Sequence, residues 1–400
     1  MPSPLTPALA TPSLANAKQR RDGLPYRLVG LIALFLGVMV AMVFLREGMS
    51  AGISPALADK DFANYWVAAH LAADGKVAVI FGPHPRYFAH MVAAMGPGFP
   101  WHNWSYPPHY LLIIMPLALV GYKTGMVLFL AVTGTLFFTG LNALMGRRDN
   151  LALLAVAPFL IINLWSVQNG FLTSGLILWF LALRDKRPVL AGICLGAMTI
   201  KPQLGVLLLL LPLIERRWLV LLTAAMTTAA LVLASTWAFG SGAWVGFVRE
   251  ILPDQADVMA NYVGAWLTMA PSTFAGARLL GLASSTALLV HMVVALPTLI
   301  LTVFCIVRRP AQRNIILPVA IFLIVPYTMN YDLGIVGAAI ALFIRQQEAA
   351  GRRIPHLQQA ILALGMLSPI LTMVVGLLGF SIAPLILLAV LAVFLNPATR

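Results

Sequence analysis

Charge is scarce in this chain, and negative charge is scarcer still. Of 400 residues, 13 are Asp or Glu against 26 Lys or Arg, so 10% of the chain is charged, where soluble domains carry about 25%. With 60% hydrophobic residues and a mean hydropathy of +0.91, that shortage excludes a soluble globular domain and implies a polytopic membrane protein. Cysteine is nearly absent. Cys194 and Cys305 both lie inside apolar runs, which leaves no disulfide framework and no cysteine metal cluster. The chain has no HxxH or HExxH spacing, no GxSxG elbow, no Walker loop and no dinucleotide fingerprint, so the signatures of zinc, serine-nucleophile and nucleotide chemistry are missing.

What charge there is has a pattern. The net charge of +13 and pI near 10.3 could suit nucleic acid, but the basic residues stand in short clusters between apolar runs. These are Lys18-Arg20-Arg21, Arg147-Arg148, Arg184-Lys186-Arg187, Arg216-Arg217, Arg308-Arg309-Arg313 and Arg345-Arg352-Arg353. Such spacing is the positive-inside pattern of membrane topology, and no nucleic-acid partner is expected. Residues 1–17, rich in Pro, Ala, Ser and Thr, read as a disordered cytoplasmic tail. We set the tail at 1–26 and a single transmembrane domain at 27–400. A cleaved signal peptide is the alternative for the first apolar run, but its n-region would be unusually long.

The fold class expected is all-α and polytopic, with about twelve transmembrane helices and both termini inside. The spans fall near 28–45, 124–145, 150–165, 171–184, 187–200, 203–215, 218–239, 282–307, 314–329, 331–345, 357–377 and 379–395. The run 110–120 is too short to cross about 30 Å of hydrocarbon. Reading it as juxtamembrane rather than spanning keeps the basic clusters inside. It closes a long first extracytoplasmic loop, 46–121, carrying juxtamembrane helices; a second larger loop covers 240–272. On this topology the unusual polar motifs all collect on the outer side.

The densest polar stretch, Asp59 to Tyr110, holds five of the seven histidines. Asp61, ahead of aromatic Phe62, Tyr65 and Trp66, is a candidate general base; a plain helix N-cap is the competing reading. Asp59 is its rival, and the two could form a DxD cation site, though two carboxylates make a thin one and no metal or other cofactor is indicated. Lys201 lies between apolar sequences and beside helix-breaking Pro202. It is either a phosphate-binding cation in a protein-lined cavity or a lysine snorkelling to the interface. Arg86 and His109, with His84 and His102, are further candidates for phosphate, although scattered loop histidines are more often structural. Gln168 and Asn169 offer hydrogen bonds to a sugar or phosphate, or form a polar turn. Asp332, beside Tyr327, Asn330 and Tyr331, is a carboxylate at the start of an apolar helix, again with a cap as the bland alternative. Trp101, Trp104, Tyr106, Trp244, Tyr262 and Trp266 fit an interfacial aromatic belt.

Taken together, DFANYW at 61–66, SYPPHYLL at 105–112, QNGFLTSGL at 168–176, RPVLAGICLGAMTIKPQ at 187–203 and PYTMNYDL at 326–333 resemble glycosyltransferase family 87, mannosyltransferase-like members of the GT-C superfamily. The resemblance implies a GT-C fold, a polyprenyl-phosphate-linked sugar donor and a glycolipid or glycan acceptor. It further implies inverting hexosyl transfer, most simply of mannose, with Asp61 as base and donor phosphate contacts at Lys201, Arg86 and His109. Asp59, Tyr65, Tyr106, Gln168, Asn169, Gln203 and Asp332 would line the sugar and acceptor pocket. A lipid-linked sugar transporter or flippase would need the same polar cavity, but no internal repeat is visible in the sequence. A glycan ligase or polymerase with a lipid-pyrophosphate donor should carry several arginines in a late outer loop, where this chain has Arg249 and, just beyond, Arg278. An Ala-rich chain resembling a largely bacterial family suits a bacterial inner membrane.

Overall fold

The computed structural model describes residues 23–49, 52–58 and 60–396, and among these every regular element is helical. Thirteen helices have ten or more residues: α1 (Leu24–Gly48), α2 (Phe62–Ala73), α3 (His84–Met95), α4 (Tyr122–Met145), α5 (Asn150–Ser166), α6 (Gly170–Leu183), α7 (Pro188–Ala197), α8 (Trp218–Phe239), α9 (Ser284–Arg308), α10 (Arg313–Ile324), α11 (Gly334–Ala349), α12 (His356–Gly376) and α13 (Ala383–Leu395). Five of them, α1, α4, α8, α9 and α12, are long and apolar enough to cross a membrane unaided. The chain is a membrane protein. The remaining expected spans are also helical but shorter or broken, as at 188–200 and 202–214.

The first helix begins at Leu24, inside the stretch assigned to the tail, with Pro25 in its first turn; Pro is pre-organised for that position. Residues 1–22 of the expected tail, and Asp59, lie outside the described residues. At the other end of α1, Lys123 Nζ donates to Glu47 O and Gly48 O at 3.1 and 3.3 Å, satisfying carbonyls that a helix terminus leaves open.

Small residues let the helices approach. Gly192 and Gly196, four apart on α7, face Thr223, Ala224 and Thr227 of α8 so closely that a Cβ at either would collide, the geometry favoured when helices pack in lipid. Where Pro369 interrupts α12, the carbonyl of Gly365 loses its N–H partner; Ser368 Oγ donates to it instead at 2.7 Å. The long first loop is no loose excursion. Nine of the twelve residues of α2 are buried, with Phe62 and Tyr65 packed edge-on against Tyr122 and Tyr110. Each such ring contributes roughly 1.5–3 kcal/mol by burial. The loop is thereby fixed over one end of the bundle.

At that end sit the α5–α6 turn, the break at Lys201 and the link between α10 and α11. The opposite end carries Asp149, Arg184, Glu215, Arg313 and Arg345, joined in ion pairs.

Candidate functional site

The turn from α5 into α6 is tight and strained. Val167, β-branched, holds φ 51° and ψ 48°, left-handed backbone that costs such a residue roughly 1–2 kcal/mol. The strain aims Gln168 and Asn169 inward, and both are buried. Gln168 Oε1 accepts from the Tyr65 hydroxyl and, at 3.1 Å, from Asn169 N. Tyr65 OH also lies 3.0 Å from Tyr106 OH. The polar turn is buried and tied to the first loop. At Gly170 any Cβ would overlap the carbonyl oxygen of Tyr331 and Asn163 Oδ1, so backbone touches backbone where α6 meets the α10–α11 link. Asn163 Nδ2 donates to the same Tyr331 oxygen at 3.0 Å.

Lys201 sits where Pro202 breaks the chain between two apolar helices, and its side chain turns into the protein. Nζ lies 2.7 and 2.9 Å from the Asp332 carboxylate oxygens and 3.3 Å from Asn169 Oδ1, with Tyr331 4.6 Å below the ammonium. Lysine and aspartate are only 5% and 1% exposed. Thr173 Oγ1 donates to Asp332 Oδ1 at 3.0 Å. The snorkelling reading of Lys201 fails, and so does the cap reading of Asp332, whose carboxylate is spent on Lys201 and Thr173. The residues expected for donor phosphate and for the pocket wall are thus ion-paired with each other, because neither charge could be buried alone.

Asp61 stands at the N-cap position of α2, yet its side chain makes no capping hydrogen bond. Its carboxylate, 27% exposed, faces His102 Nε2 at 3.3 Å. It opens into a cavity of about 350 Å³ shared with Lys60, His102, Tyr106, Gln168 and Trp165. Lys60 Nζ lies 3.6 Å from the centre of the Trp165 ring. Trp101 and Tyr262, stacked at 4.8 Å, bring the first and second loops together on the rim. A second cavity of about 180 Å³ contains Lys201 and Gln203. Ser105, Tyr106, Tyr327 and Tyr331 belong to both linings and form the wall between them.

The structure thus brings together Asp61, Tyr65, Tyr106, Gln168, Asn169, Lys201, Gln203 and Asp332. Two expected residues stand apart. Arg86 is exposed on α3 and lines neither cavity. His109 is buried, 3.3 Å from Thr199 Oγ1 and stacked on Trp244. Burial pushes its pKa down to about 4, so at neutral pH it carries no charge for a phosphate. His102 and Lys60 carry more of the site than the sequence suggested. Lys60 was passed over between Asp59 and Asp61, and nothing near His102 links it to a residue 41 positions earlier.

A polar, carboxylate-bearing cavity closed over by loops at one end of a membrane helix bundle defines the class: an integral membrane protein built to handle polar groups beside lipid. The model of glycosyltransferase family 87 matches residues 104–326, more than half of the chain, and the chain belongs to that family of membrane glycosyltransferases. The match covers the 168–176 and 187–203 motifs; Asp61 and Asp332 lie outside it. No curated protein and no solved structure matches the chain.

Proposed function

We propose that this protein transfers a hexose, mannose in the simplest case, from a polyprenyl-phosphate-linked donor to a hydroxyl of a glycolipid or glycan acceptor. Transfer takes place at the extracytoplasmic face of a bacterial inner membrane, with both termini cytoplasmic and inversion at the anomeric carbon. The observation that carries the reading is Asp61: a partly exposed carboxylate, not used to cap its helix, in a cavity large enough for a sugar and rimmed by aromatic rings. The acceptor lies in that cavity, where Asp61 takes the proton of the attacking hydroxyl. The donor lies on the other side of the Tyr106–Tyr331 wall, beside Lys201 and Gln203, and the reacting atoms meet at the shared edge. Because Asp332 and Asn169 occupy the three Nζ protons of Lys201, direct contact with the leaving phosphate requires one of those partners to be exchanged. The lysine otherwise acts through its charge.

The test is transfer of radiolabelled sugar from polyprenyl-phosphate-mannose into membrane extracts, wild type against Asp61→Asn. A base of this kind is worth about 10²–10⁴-fold in rate, and a loss of that size with an unchanged melting temperature is expected. Full transfer by Asp61→Asn would reject Asp61 as base. A wild type inert with mannose but active with another polyprenyl-phosphate sugar would replace the sugar and keep the site. Activity only with a lipid-pyrophosphate donor would replace the donor class.

A further inference from the structure

The imidazole that faces Asp61 is held on both sides. His102 Nδ1 lies 3.0 Å from the carbonyl oxygen of Pro100, and a carbonyl only accepts, so Nδ1 carries a hydrogen. The ring stacks on Phe99 at 4.9 Å, and the His102 carbonyl accepts from His84 Nε2 at 2.7 Å. Nε2 is then left to Asp61 Oδ1. With Nδ1 protonated, a neutral imidazole turns a lone pair toward the carboxylate, and the two repel. One added proton, on either Nε2 or the carboxyl, converts that repulsion into a hydrogen bond. A carboxylate facing a neutral imidazole in this geometry is therefore one proton short of a hydrogen bond.

We propose that His102 is the positioning residue of the catalytic carboxylate, and that the proton removed from the acceptor hydroxyl is held between Asp61 and His102. This rests on the reading of Asp61 as base. In the step, an Asp61 oxygen takes the hydroxyl proton as the acceptor oxygen forms its bond to the anomeric carbon. The bond from that carbon to the phosphate oxygen breaks, and its electron pair leaves with the polyprenyl phosphate. The Asp61–His102 pair passes from a charge of −1 to 0, while the phosphate passes from −1 to −2. His102 faces the carboxylate before the step and supplies its hydrogen bond after it.

The other charged and titratable groups around Asp61 are Lys60 beside it in the chain, Tyr106 in the first loop and Tyr262 in the second. Tyr327 and Tyr331 follow from the α10–α11 link, with Lys201 and its partner Asp332 behind them. Histidine alone among these types ordinarily titrates between about pH 5 and 8. His84, bound to the His102 carbonyl, supplies the control.

The experiment is the pH dependence of kcat/KM for sugar transfer by the intact protein in membranes. In the wild type and in His84→Gln, the acidic limb should fall in the histidine range, near pH 6.5 or above. In His102→Gln it should drop about two units, toward the carboxylate range, with a lower plateau. An unmoved limb in His102→Gln would overturn the proposal and leave His102 a packing residue. Full transfer by Asp61→Asn would instead remove the underlying reading. A second measurement does not depend on folding of His102→Gln: carbethoxylation of His102 by diethyl pyrocarbonate, followed by peptide mass against pH. The carboxylate should delay modification to higher pH in the wild type, and Asp61→Asn should bring the midpoint down by about one unit or more. Equal midpoints would overturn the pairing.

Discussion

Helix α6 carries a buried ion cluster at each end, and the two are built differently. At its start, one lysine meets one carboxylate, Lys201 with Asp332, and two cavities open beside them. At its far end, about 21 Å away for fourteen residues, Glu215 meets three guanidiniums, that of Arg217 the most distant at 4.0 Å. Arg184 Nε and Nη2 reach it at 3.0 and 3.1 Å and Arg313 Nη1 at 2.9 Å. Arg184 also donates to Asn314 Oδ1, and Arg313 Nε to the Ile306 carbonyl at 2.6 Å. Helix polarity suits both, a carboxylate near the N-terminus and a guanidinium at the C-terminus. The far cluster clamps α6, α10 and the helix ending at Ile214, with its partners supplied by the protein itself. The near cluster borders space in which a ligand can compete. A buried charge marks a site only when its surroundings leave room for something to arrive.

The comparison can be broken most decisively at Asp332. Asp332→Asn leaves a buried ammonium without its counter-ion, which should cost about 3–5 kcal/mol of stability and lower transfer as well. The paired change Lys201→Met with Asp332→Leu should recover most of the melting temperature in detergent but not the activity. Recovery of both would reduce the pair to a structural one. Glu215→Gln should cost a similar amount, again about 3–5 kcal/mol, yet kcat per folded molecule should stay within about twofold; a loss of kcat there would erase the distinction between the two ends. Gly170→Ala should follow, at about 1–3 kcal/mol, with activity falling in step as the α10–α11 link is pushed away.

The smallest effect belongs to Asp149. It caps α5 through Leu151 N and Ala152 N at 2.9 and 3.3 Å and accepts from Arg345 Nε and Nη2 at 2.7 and 2.8 Å. These contacts, the Arg345 bonds first, hold its pKa down to about 2. A carboxylate with a depressed folded pKa contributes stability that is complete above its unfolded value, near 3.9, and is lost as pH falls through the folded one. Melting in detergent between pH 5 and 2 should therefore lose on the order of 2 kcal/mol, and Asp149→Asn should flatten that slope.

Much of the fold was legible because lipid simplifies the code. Apolar runs bounded by arginines predict helices, and α4, α5, α8 and α9 begin and end within a few residues of expectation. The arginine clusters were not legible as clamps, since Arg184 and Arg313 differ from their basic neighbours only in what the fold brings to them. The polar motifs pointed to one end of the bundle, and most of their residues do converge there. Their partners could not be read. Lys201 and Asp332 are 131 positions apart, and each had a respectable local explanation, snorkelling or capping, that only three-dimensional contact could remove. The burial of His109 was unreadable for the same reason: no local pattern announces it.

The contact at Gly170 has one more consequence. Side-chain walls breathe as rotamers exchange, but here the Tyr331 main chain rests directly on the start of α6. The segment that carries Asp332 is registered against Asn169 by peptide planes, without a deformable methylene between them. Drift elsewhere in the bundle can then reshape the cavities' rims, and with them what is admitted, while the spacing between Asp332 and Asn169 is inherited unchanged.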